Sequence, residues 1–112
     1  MQQLLALSPW QRMISFKIFQ RKNPAPQRVT SGRFEIERDG EVAYLEYSLS
    51  GDILELIHTE VPVQLRGHGV AALLAEHALQ FARARKLRVD VICPLVRSHI
   101  EKHPEYADLL MG

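Results

Sequence analysis

Glu60-Val61-Pro62-Val63-Gln64-Leu65-Arg66-Gly67-His68-Gly69-Val70-Ala71 is the stretch on which the reading of this chain turns. A β-like run ends in it and a long amphipathic segment leaves it, so its glycines fall between a strand and a helix. The first N–H groups of a helix lack internal partners, and the aligned peptide dipoles add partial positive charge at that end. Such a joint suits an anion, and glycine removes the Cβ that would hold a phosphate away.

Downstream, Val70, Leu73, Leu74, His77, Ala78, Phe81 and Ala82 recur at intervals of three and four, the stripe of a helix lying on a sheet. Arg83, Arg85 and Lys86 gather at its far end, where the dipole favours cations. Leu87 to Ile92 reads as a short strand. Strand, crossover helix and strand in one sheet form a right-handed parallel unit. Cys93-Pro94 then opens a second helix that Pro104 stops, and Tyr106, Leu109 and Leu110 tuck the tail against the body.

Upstream, Arg33 to Glu37, Val42 to Leu49 and Ile53 to Val61 alternate as strands. Asp39-Gly40 and Ser50-Gly51-Asp52 supply the turns of an antiparallel meander. On the last strand, alternation sets Leu54, Leu56, His58 and Glu60 on one face. The fold class is α/β: one domain with antiparallel strands, a parallel β-α-β unit and a short C-terminal helix.

Length and charge narrow the rest. At 112 residues and 46% hydrophobic content the chain suits one compact core. Residues 1–28 carry five basic side chains and no acidic one, against nine basic and thirteen acidic in the remainder. Composition therefore divides a basic N-terminal extension and linker, 1–28, from a domain at 29–112. Within the extension, Ser8-Pro9 resembles a helix start, whereas Ile14, Phe16 and Ile18 also alternate as a strand would.

The single cysteine makes no internal disulfide, which favours a reducing, cytoplasmic setting; in a eukaryote the basic N-terminus would also fit organelle targeting. No apolar run approaches a membrane span. The net charge of +1 gives no strong nucleic-acid signal, and no base-reading helix is evident in the basic segment.

The glycine loop reads in two registers, Gln64-x-x-Gly67-x-Gly69 and Arg66-x-x-Gly69-x-Ala71. A dinucleotide fingerprint would follow the first strand of a parallel unit, and a P-loop would carry lysine and a hydroxyl; neither pattern is here. The loop instead either offers backbone to a pyrophosphate without metal or lysine, or serves only turn and packing. His58 is either a general base or a histidine bonded within the sheet. Glu60 either orients His58 or a substrate cation, or caps backbone groups. Cys93, at a helix N-terminus, is either reactive or a small buried hydrophobe. His99 and His103 lie four apart with no third ligand in the pattern, so no metal site is expected. His77 reads as packed, and His68 as an exposed loop residue or a phosphate neighbour.

Four ordered segments carry a resemblance: His58-Thr59-Glu60-Val61-Pro62, Arg66-Gly67-His68-Gly69-Val70-Ala71, Cys93-Pro94, and His103-Pro104-Glu105-Tyr106-Ala107-Asp108-Leu109. Together with Phe34, Ala43 and Tyr47 they resemble the small, single-domain YjdJ-type branch of the GCN5-related N-acetyltransferases. The likeness runs from about Gly32 to Leu110 and leaves out residues 1–24. It departs where that branch usually has a proline near Val91 and a tyrosine near His99, and it implies that His99 borders the acceptor site in place of that tyrosine.

The resemblance implies acetyl transfer from acetyl-CoA to an amine acceptor, small molecule or protein. It selects the Arg66, Gly69, Ala71 register for the pyrophosphate, giving Val61, Arg66, Gly67, His68, Gly69, Val70 and Ala71 as cofactor-binding residues and Cys93, His58 and Glu60 as catalytic candidates. The competing expectation is a non-catalytic acyl-CoA-binding or protein-interaction module.

Overall fold

The computed structural model describes residues 15–22 and 30–111. Five strands lie in sequence order: β1 (Ser15–Lys22), β2 (Thr30–Arg38), β3 (Glu41–Ser50), β4 (Ile53–Glu60) and β5 (Arg88–Val91). The first four are antiparallel and β5 joins β4 in parallel. That order follows from tight turns between β2, β3 and β4 and a helical crossover before β5. The expected α/β architecture is observed.

At the N-terminus the strand reading of the Phe16 and Ile18 alternation holds. β1 pairs with β2 from Ser15↔Glu37 to Lys22↔Thr30. The sheet thus reaches into the segment that composition sets apart as an extension, and the charge break near residue 28 does not mark its start. The helix start at Ser8-Pro9 lies outside the described residues.

Among the described residues two helices cover one face: α1 (Val70–Ala84) and α2 (Pro94–Lys102). The α1 stripe is sealed by Val70, Leu74, Ala75, Ala78, Leu79 and Ala82, all buried against Phe34, Ile36, Leu45, Tyr47, Leu54 and Leu56 of the sheet. Aromatic packing fixes the far end, with Phe34 5.0 Å from Tyr47 and 5.4 Å, edge-on, from Phe81. Each fully buried side chain of this kind contributes about 1.5–3 kcal/mol, and this burial holds the helix N-terminus at the end of β4.

One expectation is overturned within β4. Its register against β3 shifts, Tyr47 pairing with Leu56 and Glu46 with His58, which leaves Ile57 as an extra residue. The bulge reverses the alternation. Leu54, Leu56 and Thr59 are buried on the helix side, while His58 and Glu60 are exposed on the opposite face rather than sharing a side with Leu54 and Leu56.

After α2 the chain forms a 3₁₀ turn, Pro104–Leu109, and returns to the sheet. Leu110 bridges Val89 in parallel, and the Met111 N–H donates to the Val89 carbonyl at 3.0 Å. The Arg88 guanidinium also reaches the Leu110 carbonyl at 3.0 Å. Among the described residues no helix is long and apolar enough to cross a membrane.

Candidate functional site

The site begins where β4 and β5 part. They pair only from Ile53↔Arg88 to Leu56↔Val91. Ile92 and Cys93 then both donate their N–H to the Leu56 carbonyl, at 2.9 and 3.0 Å, as the chain turns into α2. β4 continues to Glu60 beside β3, with no strand partner on its other side among the described residues.

This divergence opens a cleft of about 360 Å³. Thr59, Glu60 and Val61 line one wall, the turn residues Leu65, Arg66 and Gly67 a second, and Gly69, Val70, Ala71 and Ala72 the helix mouth, with Leu95 opposite. A 3₁₀ turn, Val63–Leu65, makes the corner. The Arg66 Nε–H donates to the Val61 carbonyl at 2.9 Å and ties the loop back to the end of the strand.

The helix mouth has the electrostatics of an anion site. Gly69 is the N-cap of α1, no side chain caps the first turn, and that turn contains no acidic residue. The earliest intrahelical bond there runs from Leu73 N–H to the Gly69 carbonyl at 3.0 Å, so the N–H groups of the residues before it are the orphans of the helix end. Gly67 and Gly69 hold φ of 82° and 73°, the left-handed region that disfavours side chains. A Cβ at either would meet no protein atom within 4 Å. Backbone conformation, not crowding by the protein, is what asks for glycine here. An uncapped helix end, two glycines beside it and a first turn without acidic residues fit a diphosphate.

Six of the seven residues expected to hold cofactor line this cleft; His68 stands exposed in the turn and is not in the lining. The three catalytic candidates do not converge. His58 Nε2 lies 3.0 Å from Glu60 Oε1, with both side chains about half exposed, 53% and 50%. The Tyr44 ring stands 6.4 Å from the His58 ring, and the Arg33 guanidinium covers Tyr44 at 4.3 Å. Cys93 is 2% exposed on the other face, its Sγ 3.3 Å from Thr59 Oγ1. The bulge at Ile57 is the physical reason for this separation, since it turns Thr59 toward the thiol and the residues on either side of it away.

His99 does not border the cleft. Its Nε2 lies 2.9 Å from Glu76 Oε1, and its ring stacks on His103 with centroids 4.4 Å apart. Glu76 also accepts from the Tyr106 hydroxyl and from Gln80 Nε2, the latter at 2.8 Å. Burial pushes the Glu76 carboxyl up, but the hydrogen bonds from Tyr106, His99 and Gln80 outweigh it and hold the group below the usual carboxylate range. Burial, then the bond to Glu76, pushes the Tyr106 phenol up. His77, half-buried on α1, is held below the ordinary imidazole range by burial. Among the described residues no group of three or more His, Cys, Asp or Glu is placed to hold a metal ion.

Sequence reasoning missed Thr59, Leu65, Ala72 and Leu95. Ala72 follows from the helix mouth itself. Leu95 was within reach, because a right-handed crossover returns β5 beside β4 and sets the residues after Cys93-Pro94 at the same end of the sheet.

The family described as GCN5-related N-acetyl-transferase matches residues 33–109. The chain is similar to Protein NATD1 of Bos taurus, 40% identical over 63 residues, covering 55% of this chain and 56% of the bovine protein. The same-named protein of Mus musculus is 33% identical over 75 residues, 64% of this chain and 68% of the relative. That of Danio rerio is 29% identical over 87 residues, 76% and 78% respectively. The chain thus spans little more than half the length of the bovine relative. The family match takes in β2 through the C-terminal 3₁₀ turn, including the cleft and both helices around it, and on that ground the chain belongs to the GCN5-related N-acetyltransferase family.

Proposed function

We propose that this protein is an acetyl-CoA-dependent N-acetyltransferase of the small YjdJ-type branch, with a primary amine on a small molecule or a protein as acceptor. The observation that carries the reading is the uncapped mouth of α1 opening into the cleft where β4 and β5 part. When bound, acetyl-CoA supplies an acetyl group activated as a thioester. Main-chain N–H groups from Gly67 to Ala72 hold the diphosphate, with Arg66 adding positive charge at the turn. The unpaired edge of β4 offers backbone donors to an oxygen that gathers negative charge, and fixed donors of this kind are a main source of rate enhancement in acyl transfer.

The acceptor must reach the reaction as a neutral amine. For a lysine-like ammonium that costs about 4.6 kcal/mol at pH 7. Glu60 lines the cleft and attracts the cation, while His58, 3.0 Å from it, orients the carboxylate and takes up the proton. A cytoplasmic setting agrees with a free, buried cysteine.

Calorimetry with coenzyme A and acetyl-CoA tests the cofactor, and saturable binding of both is expected. Absence of heat from folded protein defeats the reading. The alternative, a non-catalytic acyl-CoA-binding or protein-interaction module, is favoured by one observation: Cys93 lies across the sheet from the His58–Glu60 pair. Labelled acetyl-CoA with a panel of amines separates the two, since binding without acceptor-dependent transfer selects the module.

A further inference from the structure

Cys93 is the chain's single cysteine, and the mechanism above leaves it unused. It is fixed on every side: its N–H donates to Leu56 O at 3.0 Å, its carbonyl accepts from Arg97 N–H at 3.1 Å, and its Sγ meets Thr59 Oγ1 at 3.3 Å. The thiol is not part of the cleft lining, whereas Thr59, itself 7% exposed, is. The Thr59 hydroxyl is the polar contact that links the thiol to the cleft lining.

We propose that Thr59 is a catalytic residue of this site and Cys93 the residue that positions it, the Thr59 hydroxyl accepting the Cys93 S–H and directing its own O–H into the cleft. A hydroxyl has one hydrogen and two lone pairs, so accepting from the thiol leaves that hydrogen for the cleft; the reverse arrangement would commit it to sulfur, a weak acceptor. The bulge at Ile57 supports the assignment, because without the extra residue Thr59 would fall on the solvent face. No covalent bond forms at either side chain. The inference rests on the acetyltransferase reading: the donor lies at the end of the cleft where β4 and β5 part, and there it serves the sulfur released on transfer.

The test has an arm that needs no cofactor. With one cysteine in the chain, the infrared S–H stretch reports Cys93 alone, and a hydrogen-bonded thiol absorbs at lower frequency. Thr59→Val, which keeps shape and removes the hydroxyl, is expected to raise that frequency, and Thr59→Ser to restore it. In turnover assays Thr59→Val is expected to lower kcat about fivefold to tenfold with KM changed less than about twofold, and Thr59→Ser to recover most of the loss. An S–H stretch unmoved by Thr59→Val, or an unaltered kcat, overturns the proposal. Failure of the wild-type protein to bind coenzyme A instead overturns the acetyltransferase reading, and the infrared comparison still judges the Thr59–Cys93 bond.

Discussion

Substituting Gly69 separates two effects that usually arrive together. At φ 73° any side chain is strained, by about 1–2 kcal/mol, yet its Cβ meets nothing within 4 Å. Gly69→Ala and Gly69→Leu should therefore lose similar stability, each lowering Tm by roughly 3–10 °C in a domain of this size. Their effect on coenzyme A should diverge, because the added bulk stands at the cleft rather than in the core. Alanine displaces the diphosphate slightly, whereas leucine covers the helix mouth and removes one or two charge-assisted hydrogen bonds, each worth about 1.5–3 kcal/mol. The expected ratio of Kd values between leucine and alanine variants is at least about tenfold. Calorimetry at a temperature where both are folded, with Tm from scanning calorimetry alongside, reads both quantities. Equal Kd values at equal Tm loss would show that the diphosphate is not held at this glycine, and the cradle would be wrong.

Three further outcomes follow from the geometry. His77 has its folded-state value depressed by burial, so its contribution to stability is complete above the ordinary imidazole range and declines as pH falls through it; His77→Gln should flatten stability between about pH 7 and pH 5 in denaturant titrations. Glu76 is likewise depressed, by the bonds from Tyr106, His99 and Gln80 against the opposing effect of burial, so its contribution is present above the usual carboxylate range and lost on acidification. Glu76→Gln should remove part of the acid limb between about pH 5 and pH 3, followed by circular dichroism. Arg83 grips Asp108 through both carboxylate oxygens at 3.1 and 2.9 Å and the Glu105 carbonyl at 2.8 Å; Arg83→Ala should speed amide exchange across residues 104–110 and leave that of β2 and β3 unchanged.

The glycine stretch was legible because its signals are local. A β-like run, two glycines and an apolar stripe at helical spacing sufficed to set the helix start at Val70, and the structure begins α1 there. The strand faces were legible for β2 and β3, where alternation runs uninterrupted, and failed at His58 because an inserted residue is invisible to a two-residue period. Nothing in Ile57 itself marks it as surplus; the register against Glu46 and Tyr47 decides. His99 was misplaced for a related reason. Its spacing from His103 gives a shared helix face, and the observed stacking agrees, but which neighbour that face meets depends on where Glu76 of α1 comes to rest. Ser15–Lys22 shows the limit of composition: a run of basic residues says how a segment is charged and not whether its backbone pairs.

The return of Leu110 and Met111 to β5 carries a practical meaning. A four-residue strand at the margin of a sheet is the kind of template on which foreign chains polymerise, and here Leu110 and Met111 of the same chain occupy that template. A polypeptide ending at Leu109 would lack this plug, and it should precipitate on concentration more readily than one that keeps Leu110 and Met111.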